Sequence, residues 1–241
     1  MRNGKKLFAA NPDEQTGFWR FMTILFAEFF DLVKTNLLFL AVSLGTLTIP
    51  AAIAGMARVT LHLMEGKNHF LGKDFFGIFR QKFLRSLGLG ATVLAAAVFT
   101  GISVYFYTMV GRENGAGFYV LSVMAVGLFL FVQMTAVCAF PLLALTDLEY
   151  RKLIPAAIKT AVSNAGRAFA AAFINTALFI ASILLNPGSI IFTIFIEFSF
   201  MSFIASFLMF PAWKPYLDEA KERQALSTGA FKEAAEEETV L

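Results

Sequence analysis

Long apolar stretches separated by short charged segments dominate the pattern along this chain. Three of them are long enough, or nearly so, to cross a hydrocarbon core of about 30 Å, which takes about 20 helical residues. They are 87–110, 118–145 and 169–185. The stretch 189–213 is a fourth, interrupted only by the charge of Glu197, and the stretch 29–49 is a fifth. The pattern predicts an all-α bundle of membrane-spanning helices.

The number of spans depends on the stretch 50–65, which has only 16 residues and contains Arg58 and His62. Cytoplasmic loops of membrane proteins are enriched in Lys and Arg. All but three of the 20 basic residues lie in four segments, 2–20, 67–85, 151–167 and 214–232. If all four face the cytoplasm, 50–65 is a short second span, which gives six spans with both termini inside. The alternative is a re-entrant or interfacial segment with five full crossings.

Three of these cytoplasmic segments place apolar side chains at helical spacing beside basic ones. The apolar sets are Phe18, Phe21, Met22, Leu25 and Phe29; Phe75, Phe79 and Phe83; and Ile154, Ile158 and Val162. We expect basic amphipathic helices on the inner face, where they would attract anionic lipids of the inner leaflet. The plainer interpretation is that polytopic proteins simply have basic inner loops.

Composition narrows the class of protein. Hydrophobic residues make up 58% of the 241 residues and charged residues 15%, with a mean hydropathy of +0.68. A soluble globule of this size could not bury so much apolar side chain, so an ordinary cytosolic enzyme is excluded. Residues 218–241 differ from the rest because they hold seven acidic and three basic residues. We therefore predict a transmembrane domain over 1–217 and an acidic cytoplasmic tail over 218–241.

Two charges lie inside predicted spans, where ionisable groups are costly and are candidates for function. Arg58 and Glu197 each follow the outer end of their span by eight residues, about 12 Å at 1.5 Å per residue. The matching depth predicts an ion pair that locks the second span against the sixth, since pairing is how buried charges are tolerated. The alternative is a polar site for a ligand or a proton.

Further charged and aromatic residues lie at predicted membrane boundaries. Glu28, Asp31 and Lys34 occupy successive helical turns, where we expect them to act as interfacial anchors. The two tryptophans, Trp19 and Trp213, each lie where an apolar stretch meets a charged one, which predicts an interfacial aromatic belt.

Catalytic motifs are missing from the sequence. His62, Glu65 and His69 have the spacing of one helix face, but Gly66 and Asn68 interrupt that helix, so we predict no metal site. The chain also lacks a phosphate-binding loop, a dinucleotide-binding glycine motif, a nucleophile elbow and paired cysteines, since Cys138 is its only cysteine. We predict no catalytic residue, no cofactor and no nucleic-acid partner.

One enzyme class still needs weighing, that of membrane enzymes acting on lipid-linked sugars. Such an enzyme would need paired carboxylates or a basic cradle for pyrophosphate at the interface. The residues that could serve are Asp74 with Arg80 and Lys82, or Asp147 with Glu149 and Arg151. We expect the protein not to be an enzyme.

Two segments resemble a known family. FFDLVKTNLLFLAVSLGTLTIPAAIAGM (29–56) and MEGKNHFLGKDFFGIFRQKFLRSL (64–87) resemble the first third of the YesL family of bacterial membrane proteins, which is named for a domain of unknown function. The resemblance implies a multi-pass protein of the bacterial plasma membrane. It also implies a link to carbohydrate uptake, because relatives are often encoded beside carbohydrate ABC-transporter genes. It assigns no catalytic residues.

The expected function is therefore that of a non-enzymatic accessory or regulatory protein, with carbohydrate ABC-transporter components as possible partners. The alternative is a permease subunit or a small transporter. A sugar-permease subunit should carry Glu-Ala-Ala, a later glycine and Ile-x-Leu-Pro in an inner loop. Pro155-Ala156-Ala157 with Gly166 matches only part of this signature, because the glutamate and the closing motif are missing.

Overall fold

The structure is a computed structural model, and it describes residues 17–65, 71–115 and 117–240. Within these ranges the chain is helical and contains no strand. The helices are α1 (Phe18–Ala27), α2 (Phe29–Ser43), α3 (Ile49–Glu65), α4 (Leu71–Gln81), α5 (Phe83–Asn114), α6 (Gly117–Leu145), α7 (Tyr150–Ser163), α8 (Ala165–Leu184), α9 (Ile190–Phe192) and α10 (Phe198–Val240). A 3-10 turn, Thr46–Thr48, precedes α3, and a π-helical turn, Thr193–Glu197, joins α9 to α10.

Five helical segments within the described residues are long and apolar enough to cross a membrane. They are Thr46–Glu65, Phe83–Glu113, Gly117–Leu145, Ala165–Leu184 and Ile190–Glu219. These segments confirm the prediction of an all-α polytopic bundle. The stretch 50–65, ambiguous in the sequence, is a single helix. The predicted boundary at residue 218 falls inside α10, whose backbone is helical to Val240.

The predicted first span, 29–49, is not one helix. The helix α2 has only 15 residues and ends at Ser43, because Gly45 takes an extended conformation before the 3-10 turn. On its other side, Glu28 has non-helical backbone angles and separates α2 from α1. The prediction of a continuous helix over 29–49 is therefore wrong.

The helices α5 and α6 form an antiparallel hairpin. At one end, the Lys82 ammonium donates to the carbonyl oxygen of Thr146 at 3.1 Å. At the other, the hydroxyls of Thr108 and Ser122 are 2.6 Å apart, and the turn uses Gly115 at φ 101°, a left-handed conformation that favours glycine. We call the end at Lys82 the basic end of the bundle. The exposed basic residues of α4 come shortly before Lys82 in the chain, and those of α7 come shortly after Thr146.

Protein side chains cover the apolar faces of the amphipathic helices α4 and α7. Phe75 of α4 is fully buried, and its carbonyl oxygen lies so close to α3 that a Cβ at Gly55 would be 2.9 Å away. In α7 the fully buried residues are Leu153, Ala157 and Ala161, whereas Val162 of the predicted apolar face is exposed. These helices exist as predicted, but Phe75 does not face lipid.

Their basic side chains remain outside this packing. The exposed residues are Lys73, Arg80, Arg85, Arg151, Lys152 and Lys159. The two tryptophans differ from each other: Trp19 is exposed, whereas Trp213 is fully buried in the core beside residues of α6 and α7. The prediction that Trp213 belongs to an interfacial belt is wrong, because the bundle closes around it.

Candidate functional site

The predicted ion pair between Arg58 and Glu197 is not formed. Glu197 is 1% exposed; one carboxylate oxygen accepts a hydrogen bond from the Thr193 hydroxyl at 2.5 Å, and the other has no partner within the described residues. Arg58 is only partly buried, and its electrostatic partners are Asp74 and Glu65. The prediction failed because equal distances along two helices give equal depth only if both helices run along the membrane normal.

Glu197 closes the π-helical turn that the sequence pattern could not predict. A π turn widens the helix by one residue and leaves backbone groups without their usual partners. The amide group of Asn36, fully buried on α2, bonds to three backbone groups at this turn. Its nitrogen donates to the carbonyl oxygens of Thr193 at 3.0 Å and Ile194 at 2.7 Å, and its oxygen accepts from the Ser199 backbone N–H at 3.0 Å.

A second polar contact joins α3 to α10. The Thr60 hydroxyl lies 3.1 Å from the hydroxyl of Ser202 and 2.9 Å from that of Ser206. All three groups can donate as well as accept, and Thr60 also donates to the Ala57 carbonyl oxygen at 3.1 Å. Hydroxyl groups between apolar helices stabilise close packing.

The carboxylate of Asp74 links α4 to α3. One of its oxygens lies 3.0 Å from Nδ1 of His62, and both side chains are partly buried. Arg58 lies one turn before His62 and is within electrostatic reach of the same carboxylate. His69, the third residue of the rejected metal pattern, lies outside the described residues, and the described residues contain no cluster of three metal-ligating side chains.

The basic end of the α5–α6 hairpin holds another ion pair. The ammonium of Lys82 is buried and bonds to the Asp147 carboxylate, which is itself mostly exposed. Arg85 donates to the Asp147 carbonyl oxygen at 3.2 Å. Lys82 and Asp147 are two of the residues weighed as parts of an enzyme site. In the structure their contacts join the ends of helices.

The three charges expected at the interface lie at the start of α2 and in the break before it. Lys34 and Asp31 form an ion pair at 3.1 Å, with the lysine side chain largely exposed. Glu28 lies at the break between α1 and α2. Their role as interfacial anchors stays a prediction.

Three adjoining cavities lie along the bundle between α5, α6, α8 and α10. We call them the distal groove (about 410 Å³), the middle cavity (about 520 Å³) and the proximal cavity (about 330 Å³), the last being nearest the basic end. The distal groove and the middle cavity share Phe129, Thr176 and Ile180. The middle and proximal cavities share Gln133, Ala136, Val137, Asn175 and Met201.

Apolar side chains form most of the walls of these cavities. Gln133 and Asn175 are the polar residues at the junction of the middle and proximal cavities, and the amide oxygen of Asn175 is buried without a partner in the described residues. One face of α3, including Ile53, Met56 and Ala57, closes the proximal cavity. The cavities are therefore mainly apolar, with the amides of Gln133 and Asn175 at mid-depth.

The sequence contains a signal for some of these residues but not for their arrangement. Asn36, Asn175 and Gln133 stand out as amides in apolar stretches, which is the signal that could have marked them. The cavities themselves have no sequence signal, because they depend on how four helices diverge.

The helices and their contacts define an all-α membrane protein of several apolar helices. A family model described as "Protein of unknown function, DUF624" matches residues 32–104 of the chain. The match includes α3, α4, most of α2 and the first part of α5. No curated protein and no solved structure matches the chain.

Proposed function

We propose that this chain is a YesL-like, non-enzymatic accessory or regulatory protein of the bacterial plasma membrane that acts with carbohydrate transporter components. The observation that carries the non-enzymatic part is the use of the polar side chains. Asn36, Thr60 and Lys82 each bond across helices. Side chains committed to packing are poorly suited to bind and release a substrate.

The carboxylates weighed as parts of an enzyme site also support a non-enzymatic function. Asp74 is bonded to His62, and Asp147 to Lys82. A general acid or base must reach the reacting atoms of a substrate. Both carboxylates instead lie in contacts between helices, which supports an accessory role over catalysis on a lipid-linked sugar.

The link to carbohydrate uptake rests on the resemblance of the segments 29–56 and 64–87. The family match over residues 32–104 covers most of both segments. Anionic inner-leaflet lipids are the second partner of the proposal, supported by the exposed basic residues of α4 and α7.

The runner-up is a small transporter or permease subunit, and the cavities favour it. A passage through the membrane needs a site at mid-depth, and Gln133 with Asn175 provides polar groups there. The hydroxyls of Ser202 and Ser206 on these walls are already bonded to Thr60, so the two amides offer few of the hydrogen bonds that a sugar with many hydroxyls requires. We therefore rank this function second.

The test is affinity purification of the tagged full chain from native membranes after mild crosslinking. We expect carbohydrate ABC-transporter subunits to be enriched over an unrelated tagged multi-pass protein of equal abundance. Recovery of the chain alone would contradict the accessory function.

The purified chain in proteoliposomes separates the runner-up. An accessory protein should give no sugar flux by itself, and flux of a labelled sugar above that of empty vesicles would favour the transporter. The control is the double variant Gln133→Leu with Asn175→Leu, which removes both amides from the cavities, so that flux through them should be lost.

A further inference from the structure

The first inference concerns what fills the passage between α5, α6 and α8. The distal groove is lined by apolar groups from all three helices, among them Val104, Val126 and Phe173. Neighbouring side chains on the same helices are exposed large hydrophobics, such as Phe99, Val123 and Ile183. In a membrane such surfaces face lipid chains, so the groove opens onto hydrocarbon.

The dimensions of the passage exclude an empty or water-filled state. From Val126 to Pro141 the lining of α6 extends over about 22 Å at 1.5 Å per residue. An unfilled apolar gap of this size loses its dispersion contacts, and water would find few polar partners along it. Hydrocarbon from the bilayer would restore the dispersion contacts and needs no polar partner.

We propose that the distal groove and the middle cavity bind one acyl chain of a membrane lipid, which enters between α5 and α8 and ends near Gln133 and Asn175. The length fits within one leaflet, because the lining of α6 from Val126 to Gln133 extends over about 10 Å and one leaflet supplies about 15 Å, half of a 30 Å hydrocarbon core. The polar position marks the inner limit, since a hydrocarbon chain gains nothing by covering amides. This site is independent of any association with a transporter.

Two glycines offer a matched pair of variants for this site. Gly101 lines the distal groove, and a side chain there would meet no atom within 4 Å. Gly127 on α6 also has open space but lies outside the groove lining. Gly101→Phe should therefore fill the groove without disturbing the fold, whereas Gly127→Phe adds the same ring to the surface.

The experiment uses the full chain in vesicles of phosphatidylethanolamine and phosphatidylglycerol, with a fraction of the phosphatidylethanolamine carrying a diazirine in one acyl chain. After illumination, mass spectrometry should locate crosslinks at groove residues such as Val104 and Phe173. We expect Gly101→Phe to reduce these crosslinks at least fivefold and Gly127→Phe to leave them unchanged. Equal crosslinking at the groove and at Val123 on the lipid-facing surface, or no effect of Gly101→Phe, would overturn the proposal.

The second inference concerns the path of the N-terminal helices, and it rests on separate contacts. The α5–α6 hairpin supplies a scale of depth, because Lys82 pairs with Thr146 and Thr108 with Ser122. On this scale Gly90 lies about 10 Å from the start of α5, near the basic end. Pro50, at the start of α3, packs on Gly90 so closely that a Cβ there would be 2.3 Å from its ring.

The helix α3 does not leave this depth. Ten residues after Pro50, about 15 Å along a helix, Thr60 bonds to Ser202 and Ser206. These serines precede Trp213, near the end of the apolar part of α10, by eleven and seven residues, about 16 and 10 Å. The helix α3 therefore lies across the bundle rather than along it.

The helices α1 and α2, which precede α3, start from the basic end of the bundle. The guanidinium of Arg20 lies over the ring of Phe210, 5.6 Å from its centroid, beside the end of the apolar part of α10. Asn36 then reaches the π turn between α9 and α10. The Thr48 hydroxyl donates to the Val42 carbonyl oxygen at 2.5 Å, so the end of α2 lies beside the turn that leads to Pro50.

We infer that residues 18–65 form a re-entrant segment that enters and leaves the membrane at the basic end. Four helical units then cross the membrane fully. Three of them are α5, α6 and α8, and the fourth is the continuous run of α9, the π turn and α10. This path satisfies the charge distribution as well as six spans do, because a re-entrant segment, like two crossings, leaves 67–85 on the side where the chain began.

Thiol labelling in intact cells distinguishes the two paths. The only cysteine, Cys138, is buried, and Cys138→Ser removes it as background. In six spans, Leu44→Cys would lie in an outer loop and react with a membrane-impermeant maleimide as Glu113→Cys does. We expect Glu113→Cys to react from outside and Leu44→Cys to react at least tenfold less. Equal labelling of the two would overturn the inference, and labelling of both after solubilisation shows that both thiols are present.

Discussion

The oxygen of the Asn36 side chain accepts a hydrogen bond from the backbone N–H of Ser199 at 3.0 Å, across 163 residues of sequence. The nitrogen of the same amide bonds to two carbonyl oxygens one turn earlier. One side chain on α2 thus makes three hydrogen bonds to the backbone of the π turn and the start of α10. The short helix α2 is held in the bundle by this contact and by the packing of Phe39 on Phe198, whose ring centroids are 5.1 Å apart.

Asn36→Leu should be strongly destabilising, because it removes three hydrogen bonds between a buried side chain and the backbone of the π turn and α10. A buried unsatisfied group costs about 1 to 3 kcal/mol. The buried thiol of Cys138 provides the measurement, since a thiol-reactive dye reports its exposure during heating. We expect a midpoint several degrees below that of the parent, whereas Leu37→Ala at the neighbouring exposed position should change it less. An unchanged midpoint in Asn36→Leu would mean that the contact contributes no stability.

Arg58 and Glu197 should be energetically independent. A double-mutant cycle on the free energy of unfolding, with Arg58→Met and Glu197→Gln, tests this independence. Glutamine is chosen because it keeps an oxygen that can accept from Thr193 while it removes the charge. We expect a coupling energy below about 0.5 kcal/mol, the scatter typical of sites that do not touch. A coupling of about 2 kcal/mol would restore the ion pair that the sequence predicts.

The sequence predicts the helical class well because lipid imposes a simple rule on composition. A stretch such as 118–145 can satisfy its backbone in hydrocarbon only as a helix, so its element is decided locally. The hairpin of α5 and α6 follows from two such stretches joined by a short turn at Gly115.

The errors arise where local pattern does not decide the outcome. The depth of Arg58 depends on the tilt of α3, which Pro50 on Gly90 and Phe75 on Gly55 determine through close contacts distant in sequence. The burial of Trp213 likewise depends on α6 and α7 covering it. Helix crossing and tilt come from side-chain shape at such contacts, and one sequence read for hydropathy does not contain that information.

Gly90 should be intolerant of even a methyl group. A Cβ at this position would lie 2.3 Å from Cγ and 2.5 Å from Cβ of Pro50, and a proline ring has little freedom to move away. Gly90→Ala should therefore lower the thermal midpoint by forcing α3 away from α5, at a cost of about 1 to 3 kcal/mol for an overpacked contact. Gly101→Ala is the control in the same helix, because its position is open, and helix propensity should leave it neutral or slightly stabilised. Equal effects of the two substitutions would show that the loss of a glycine from the helix, and not the contact with Pro50, determines the change in the thermal midpoint.

The Lys82 and Asp147 pair should respond asymmetrically to removal of its two members. The lysine side chain is 8% exposed and the aspartate 81%, so each variant leaves a different survivor. Asp147→Ala leaves a buried ammonium with fewer acceptors, which is costly, whereas Lys82→Met leaves a carboxylate that water can reach. We expect Asp147→Ala to lower the thermal midpoint more than Lys82→Met, and we expect the double variant to recover part of the loss. The same dye assay on Cys138 measures all three variants, and a larger loss in Lys82→Met than in Asp147→Ala would contradict the burial on which the asymmetry depends.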